Sequence, residues 1–279
     1  MIATAWLIAQ LASGGEAMFL PAEVSERVRT LRSESLGERI GQHSAAFLGV
    51  PYTEGPLGEA GGLDPDPLYR YDTFDCLTFV EEVMALSLAN DPVSVHQVRK
   101  GLRYQSGGPS TYENRRHFML AEWIPQTIEE GWMFDLTPEL PGSVELSHSV
   151  RFETWKTWSR RSLFPLTDDR LPVGTQRFYY LPLDAAEAAV NRIPAGAVIF
   201  TLRKPLDHIP IAITHVGLTV PADKPTMRHA TKMGEGGVRD DSLVWYINHL
   251  RTYTNWPVAG LVVLMPQDQG PKASRIPTQ

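Results

Sequence analysis

Three residues far apart in the sequence could together perform nucleophilic catalysis. Cys76 is the only cysteine of the chain, and it lies where an aspartate-containing loop leads into an apolar helical segment. Backbone N–H groups at a helix start favour the thiolate, which is the reactive form of cysteine. His215 lies inside an apolar β-type segment, and His229 lies in the next one. One imidazole could accept the thiol proton while the other orients it, which predicts a Cys-His-His site.

Each of these residues also has a structural interpretation. A lone cysteine is often a small buried apolar side chain, and histidines on neighbouring strands can simply be hydrogen-bonded within a sheet. A zinc site would need a regularly spaced third ligand besides His215 and His229. Gly217 would share a sheet face with His215 and leave space there, because side chains alternate along a strand. The residues alone therefore leave the catalytic and structural interpretations open.

The composition excludes several classes of protein. The chain has 279 residues, a formal charge of −6 and 43% hydrophobic residues, so it can bury a sizeable core. A single thiol cannot form an intramolecular disulfide or a multi-cysteine zinc or iron–sulfur site. The acidic balance provides no long-range attraction to nucleic acid. We therefore expect no nucleic-acid partner, no metal and no cofactor.

The elements that must position these residues change type along the chain. Residues 76–89 form the clearest helix, with apolar residues on one face and Asp75 or Thr73 available to cap its start. Short β-branched segments separated by Pro, Asp and Gly follow later, as in an antiparallel meander. These predicted strands are residues 197–202, 213–220, 227–231 and 258–265. Helices first and strands later predict an α+β fold with the helices on one face of the sheet.

The remaining segments have weaker patterns. Residues 22–48 have helical spacing and predict one broken helix or two, and the Gly- and Pro-rich residues 49–67 predict an ordered loop. Residues 116–124 read as a helix that Pro125 interrupts. Residues 137–175 have no steady period, so we expect a long insertion that wraps the core.

The chain is expected to contain one domain, residues 20–267. The apolar residues 1–12 and the small residues after them resemble a secretory signal, yet no basic residue precedes Arg27, so residues 1–19 are either a signal remnant or an N-terminal helix. The polar residues 268–279 are expected to form a flexible tail. No apolar run is long enough for a transmembrane helix.

Four short motifs occur in order along the chain. They are Gly-Val-Pro-Tyr at 49–52, Asp-Cys-Leu-Thr-Phe-Val-Glu at 75–81, His-Val-Gly at 215–217 and His-Ala-Thr at 229–231. The set resembles the NlpC-like superfamily of papain-like cysteine hydrolases of bacterial cell walls. Asn-Arg-Arg-His and Glu-Trp-Ile within residues 114–124 make it most similar to the N-acetylmuramoyl-L-alanine amidase-like subfamily. Over about residues 45–265, the resemblance implies a papain-like NlpC-type fold, with a central antiparallel sheet packed against helices and the nucleophile at a helix N-terminus.

The resemblance also implies roles for the motif residues. Cys76 would be the nucleophile, His215 the general base and then acid, and His229 the residue that orients His215. The backbone N–H of Cys76 would help to hold the oxyanion. The implied oxyanion and substrate-binding residues are Tyr52, Asp75, Asn114, Arg115, His117 and Trp123. Two stretches depart from the family pattern, namely Gly-Ala at 196–197 and residues 154–161.

The implied reaction is hydrolysis of peptidoglycan or its fragments at the amide between N-acetylmuramic acid and L-alanine, through a thioester acyl-enzyme. A D-glutamyl-diaminopimelate endopeptidase with the same catalytic residues and a non-catalytic cell-wall-binding domain are the alternatives. The candidate carboxylate-binding arginines are Arg115, Arg116, Arg160 and Arg161, and the candidate sugar-stacking residues are Trp123, Trp155 and Trp158. We expect a monomer that is periplasmic or exported, binds muramyl peptide or peptidoglycan, and has no integral membrane segment.

Overall fold

The computed structural model describes residues 20–268, and an antiparallel sheet of eight strands lies at its centre. The strands are β1 (Met133–Asp135), β2 (Val144–Val150), β3 (Gly174–Pro182), β4 (Val198–Arg203), β5 (Ile213–Val220), β6 (Thr226–Thr231), β7 (Gly237–Ser242) and β8 (Val258–Pro266). Seven of them lie in the order β2-β3-β8-β4-β5-β6-β7, and β1 pairs with β8. The four predicted strands therefore exist as β4, β5, β6 and β8. β4, β5 and β6 form a meander that β7, which was not predicted, extends, and β8 lies on the other side of β4.

The helices of the described residues agree with the periodicity of the first half of the chain. They are α1 (Ala22–Leu31), α2 (Leu36–Ala45), α3 (Cys76–Leu88), α4 (Val95–Arg103), α5 (Ile124–Glu129), α6 (Phe152–Thr157), α7 (Leu183–Ala188) and α8 (Leu243–Leu250). The helix predicted at 76–89 is α3, and residues 22–48 form two helices, α1 and α2. Gly49 to Pro67 is an ordered loop that joins α2 to α3.

Helices cover both faces of the sheet, so the expectation that they cover only one is wrong. On one face, α3 packs against β5 and β6, and its Phe79 and Val83 belong to the same apolar cluster as Phe200 of β4 and Val216 of β5. On the other face, α7 and α8 form a second cluster in which Ile247 of α8 is buried. The second layer arises because β4 and β8 are apolar on both faces, which a buried central strand requires.

The start of α3 is fixed by a reciprocal capping box. The Asp75 carboxylate accepts a hydrogen bond from the backbone N–H of Thr78 at 2.8 Å, while the Thr78 hydroxyl accepts one from the Asp75 N–H at 3.0 Å. This arrangement satisfies a backbone donor that would otherwise lack a partner, and it places Cys76 at the first helical position. The predicted cap, Asp75, is confirmed.

The middle of the chain differs from its prediction. Residues 137–175 do not merely wrap the core, because β2 lies within them and pairs with β3 from Val144↔Tyr180 to Val150↔Gly174. Pro125 does not interrupt a helix: Met119–Trp123 is a π-helical turn, and Pro125 lies in the first turn of α5. Proline fits there because first-turn N–H groups have no helical partner.

Within residues 20–268, no helix combines the length and the hydropathy needed to cross a bilayer. The expectations for residues 1–19, and for all but the first residue of the tail, lie outside the described residues.

Candidate functional site

A cavity of about 290 Å³ opens above the start of α3 and brings Cys76 together with His215. Its floor and walls come from α3, the loop after α2, β4, β5, the segment after β6, and α8. The lining residues are Tyr52, Glu54, Cys76, Thr201, Arg203, Thr214, His215, Thr231, Lys232, Met233, Tyr246, Leu250 and Tyr253. Two of the three predicted catalytic residues and the predicted Tyr52 therefore share one cavity.

The loop that carries Tyr52 is attached to both α3 and β7. The backbone of Tyr52 forms an isolated β-bridge with that of Phe74. The backbone N–H of Gly55 donates to the Asp75 carboxylate at 3.1 Å. On the other side, the loop exchanges backbone hydrogen bonds with Val238 of β7. Gly237 is required here, because its φ is +126° and a Cβ atom would lie 2.7 Å from the carbonyl oxygen of Val50. Tyr52 is therefore held in the cavity of Cys76 by two separate elements.

The Cys76 thiol is half-buried at the base of this cavity. Burial, followed by the negative charge of Asp75, raises the pKa of the thiol to about 12, although the backbone groups of Val216, Leu77 and Cys76 itself act in the opposite direction. The N–H groups at the helix start therefore favour the thiolate as expected, but burial outweighs them. The thiol is neutral at pH 7 and needs a base to remove its proton.

His215 is the histidine that lines the cavity together with Cys76. Burial, then the neighbouring His229 and Arg203, lowers the pKa of His215 to about 3, so its ring is neutral at pH 7 and able to accept a proton. Nε2 of His215 lies 2.7 Å from Nδ1 of His229. The predicted pair of histidines therefore meets directly across β5 and β6.

Gly217 makes this meeting possible. A Cβ atom at position 217 would lie 2.8 Å from Cβ of His229 and 2.5 Å from the terminal methyl of Met227. Any side chain would consequently push β6 away from β5. The space that the sequence predicts beside His215 is occupied by the His229 side chain.

The hydrogen-bond chain continues to Asp241 of β7. Nε2 of His229 lies 3.0 Å from the Asp241 carboxylate, which also accepts a bond of 3.1 Å from Nε of Arg239. Burial acts to raise the pKa of Asp241, but the hydrogen bonds from His229 and Arg239 prevail and hold it below its ordinary value. Asp241 is therefore an anion that can only accept hydrogen bonds.

This carboxylate determines where the ring protons lie. When His229 carries one ring proton, Asp241 places it on Nε2, and the unprotonated Nδ1 of His229 then accepts a hydrogen bond. His215 must supply that bond from Nε2, which leaves its Nδ1 with a free lone pair. The arrangement can thus make Nδ1 of His215 a proton acceptor of fixed orientation.

Several residues of the site were not found from the sequence. Asp241 lies on an edge strand of polar sequence, and Tyr246 lies on α8. The Tyr246 hydroxyl and the Thr201 hydroxyl are 2.7 Å apart, and the Tyr246 ring packs against both histidines, with centroid distances of 6.1 Å and 5.4 Å. In the sequence, Asp241 lies twelve residues after His229, in the segment that follows Gly236 and Gly237.

Four predicted binding residues lie elsewhere. Asn114, Arg115, His117 and Trp123 do not line the cavity. Trp123 is fully buried and donates from Nε1 to Glu81 at 3.2 Å, so it belongs to the core and cannot stack on a sugar. Arg115 bonds to Glu59 at 2.6 Å and to Asp64 at 2.9 Å.

The other two of these four also have internal partners. Asn114 donates to the Pro109 carbonyl at 3.0 Å, and a ring nitrogen of His117 lies 2.6 Å from the Tyr112 carbonyl oxygen. Burial lowers the pKa of His117 to about 4. Asp75, the remaining predicted site residue, caps α3 and ties the Tyr52 loop to it. These residues stabilise the loops around the site and do not face the cavity.

The remaining expected ligands for the substrate do not line the cavity either, and Arg160 is exposed outside it. Arg116 is buried and bonds to Gln126, to Glu130 and to two backbone carbonyls. Arg161 donates to the carbonyls of Phe164 and Leu166. Trp155 is fully buried in a third apolar cluster, against which Trp158 packs, and neither residue lines the cavity.

Comparison with known proteins supports an amidase-like assignment. A family model described as "AmiA-like: N-acetylmuramoyl-L-alanine amidase-like" matches residues 42–253, which include every member of the Cys76–Asp241 arrangement. No functionally curated protein matches the chain.

Solved structures share the fold over most of their length. A Legionella pneumophila protein of the family model DUF1460 is 26% identical, with a TM-score of 0.76, and the match covers 88% of this chain and 93% of that one. An N-acetylmuramoyl-L-alanine amidase from Bacteroides uniformis is 23% identical (TM-score 0.66; 83% and 99% covered). A Bacteroides fragilis protein named "putative xylanase" is 20% identical (TM-score 0.65; 80% and 99% covered). Because its family model spans most of the chain, this protein belongs to the N-acetylmuramoyl-L-alanine amidase-like family.

Proposed function

We propose that the protein is a papain-like NlpC-type cysteine hydrolase that cleaves the amide between N-acetylmuramic acid and L-alanine in peptidoglycan or its fragments. The observation that carries the proposal is the shared cavity of Cys76 and His215, with His215 joined through His229 to the Asp241 carboxylate. A binding domain would have no need of a buried chain of four such groups. Residues 20–267 would form the single catalytic domain.

The reaction would begin with both partners neutral. Nδ1 of His215 accepts the thiol proton as the Cys76 sulfur attacks the lactyl carbonyl carbon, so charge develops only along the reaction path. The resulting imidazolium donates through Nε2 to His229, and the Asp241 anion at the end of the chain stabilises the positive charge. The neutral resting pair follows from burial, which raises the thiol pKa and lowers the imidazole pKa.

The oxyanion would lie at the start of α3. Asp75 occupies the Thr78 N–H, whereas the N–H groups of Cys76 and Leu77 face the thiol and are available to a developing negative charge. Burial, then the neighbouring thiol, raises the pKa of Tyr52, so its hydroxyl stays protonated and can also donate. His215 then gives its proton to the leaving L-alanine amine and later activates the water that hydrolyses the thioester.

The chemistry of the cavity does not suit glycoside hydrolysis, the activity in the name of the Bacteroides fragilis protein. Glycosidases generally use two carboxyl groups that flank the glycosidic bond. Among the residues that line this cavity, Glu54 is the one carboxylate, and it is exposed and paired with Lys232 at 2.6 Å. This difference favours amide hydrolysis by the cysteine.

A digest of purified muropeptides tests the proposal. Wild-type protein is expected to release intact stem peptides that begin with L-alanine, and Cys76→Ala is expected to release none while keeping the wild-type circular dichroism spectrum. Mass spectrometry distinguishes the alternatives, because a D-glutamyl-diaminopimelate endopeptidase would instead release a shortened peptide and leave a dipeptide on the sugar. Unchanged digestion by Cys76→Ala would refute a cysteine mechanism. Such a substrate implies export to the periplasm or beyond, and we expect a monomer.

A further inference from the structure

Arg203 lies at the end of β4 and lines the same cavity as Cys76 and His215. The strand is irregular at this point: its register shifts between Thr201 and Leu202 relative to β5, and between Leu202 and Arg203 relative to β8. The catalytic mechanism above uses no part of Arg203. Its guanidinium is nevertheless close enough to the site to contribute to the low pKa of His215.

The partners of Arg203 are all uncharged. Nε donates to the Thr214 hydroxyl at 3.1 Å, and Nη1 donates to the Trp256 carbonyl at 2.7 Å. The guanidinium carbon lies 4.2 Å from the ring centroid of Tyr253, whose hydroxyl also interacts with it, and 5.7 Å from the ring of Trp256. In residues 20–268, no carboxylate forms an ion pair with Arg203.

The other cation of the cavity is different. Lys232 is exposed and forms an ion pair with Glu54. Arg203 is only partly exposed, and burial lowers its pKa below the usual value. A partly buried cation that lacks an anion is unfavourable, and a planar guanidinium held in position is suited to bind a carboxylate through two hydrogen bonds.

We propose that Arg203 binds the free α-carboxylate of the residue that follows L-alanine in the substrate, so that the enzyme prefers muramyl peptides with a free acid at this position. The inference rests on the proposed function and narrows its substrate class. It also replaces the arginines expected from the sequence, since Arg115, Arg116 and Arg161 are bonded to the protein itself and Arg160 does not line the cavity.

A purely structural role is the competing explanation. Arg203 anchors the segment between α8 and β8 through Trp256, so its loss could simply loosen this segment. Loosening would lower the reaction rate for every substrate to a similar extent. It would not change the ratio between two substrates that differ only in one charge.

The test therefore compares two ligands that differ at one group. They are N-acetylmuramoyl-L-alanyl-D-glutamate, which has a free α-carboxylate, and N-acetylmuramoyl-L-alanyl-D-isoglutamine, in which an amide replaces it. Wild-type kcat/KM is expected to favour the acid by about 10–100-fold, as expected for hydrogen bonds to a charged group. Arg203→Gln should remove this preference mainly by raising KM for the acid, and Arg203→Lys should restore part of it.

Lys204→Gln is the matched control, because it removes the next cation along the chain, which is exposed and does not line the cavity. It should keep the wild-type preference. Equal wild-type kcat/KM for both ligands, or equal losses for both in Arg203→Gln, would overturn the inference. If the wild type cleaves neither ligand, the proposed function fails. The dissociation constants of the two ligands for wild type and Arg203→Gln, measured by calorimetry, still decide the role of Arg203.

Discussion

Polar groups are buried on two sides of α3, and the two sets are built differently. Behind the helix, on the side that faces α4, Glu82 bonds to Arg99 through two contacts of 2.7 Å, and Glu81 bonds to Arg103 at 2.8 Å. In front of the helix, on the side of the cavity, lie the Cys76 thiol and the ring of His215. The N-terminal end of the helix thus carries the thiol proposed as the nucleophile, while its middle carries charges that are neutralised.

The two sides of α3 therefore have different roles. The side that faces α4 contributes to stability, and the side of the cavity carries the groups proposed for catalysis. The buried Glu82–Arg99 pair connects α3 to α4 through two hydrogen bonds, so both charged groups are already bonded within the protein. The His215 ring instead bonds to His229, which bonds to Asp241, and His215 also lines the cavity. Substitutions behind the helix should therefore change folding, and substitutions in front of it should change catalysis.

The largest effect is expected from His215→Ala. Without the base, the neutral thiol keeps its proton, and kcat/KM for muropeptide cleavage should fall by about 10⁴-fold or more. The thermal midpoint should change little, because the side chain faces the cavity. The exposed His208→Ala provides the matched control and should retain wild-type kinetics. A fall of less than tenfold for His215→Ala would mean that another group accepts the proton.

Arg99→Met should show the opposite behaviour. The change leaves the Glu82 carboxylate buried without its partner, and the free energy of unfolding should decrease by about 3–5 kcal/mol in urea titrations. The kcat of the molecules that remain folded should stay within about twofold of wild type. The exposed pair Glu26–Arg29 offers a control, since Arg29→Met should cost less than about 1 kcal/mol. A selective loss of kcat in Arg99→Met would contradict the separation.

Asp241→Asn tests whether the hydrogen-bond chain orients the base. An amide can donate as well as accept, so it no longer places the His229 proton on Nε2, and kcat should fall by about 10²–10³-fold with little change in KM. Asp240→Asn is the control, because Asp240 pairs with Arg228 and does not contact a histidine. If both variants lose the same activity, β7 acts only as a support for the sheet.

Sequence patterns predicted the strands that carry His215 and His229 better than the edge strands of the sheet. The strands that carry His215 and His229 are apolar and β-branched, and they appear at the expected residues. Asp241 was missed because β7, with the sequence Gly-Val-Arg-Asp-Asp-Ser, is an edge strand whose polar residues read as a turn. β2 was missed for the same reason, since most of its side chains face solvent.

The predictions of binding residues were wrong for another reason. A sequence motif does not show which distant residues its side chains bond to in the folded protein. Arg115 looks like a cation available to substrate until the loop of residues 49–67 brings Glu59 and Asp64 to it. Arg203 looks like an ordinary residue at a strand end. Only the fold places it in the cavity of Cys76, where no carboxylate of residues 20–268 pairs with it. Both outcomes depend on contacts between distant segments, which local spacing does not contain.

His43 of α2 is a buried polar residue that does not line the cavity of Cys76 and His215. Its side chain is fully buried, and neither ring nitrogen has a hydrogen-bond partner within the described residues. Burial, then the charges of Arg27 and Arg39, lowers the pKa of His43 to about 4. Between the unfolded value of 6.5 and about 4, the unfolded chain therefore binds a proton that the folded protein does not.

Acidification through this range must consequently destabilise the wild type, and His43→Leu should remove that contribution. We expect unfolding free energies at pH 7 and pH 4.5 to differ by about 1–2 kcal/mol less in His43→Leu than in wild type, as measured by urea titration. Part of the acid dependence should remain, because the pKa values of His117 and His215 are lowered too. Exposed His208→Leu should follow the wild-type pH curve. If the unfolding free energies of wild type and His43→Leu depend on pH in the same way, His43 gains a proton or a hydrogen-bond partner in the folded state. A weaker pH dependence in His43→Leu, with unchanged kcat, would mean that His43 affects stability and not catalysis.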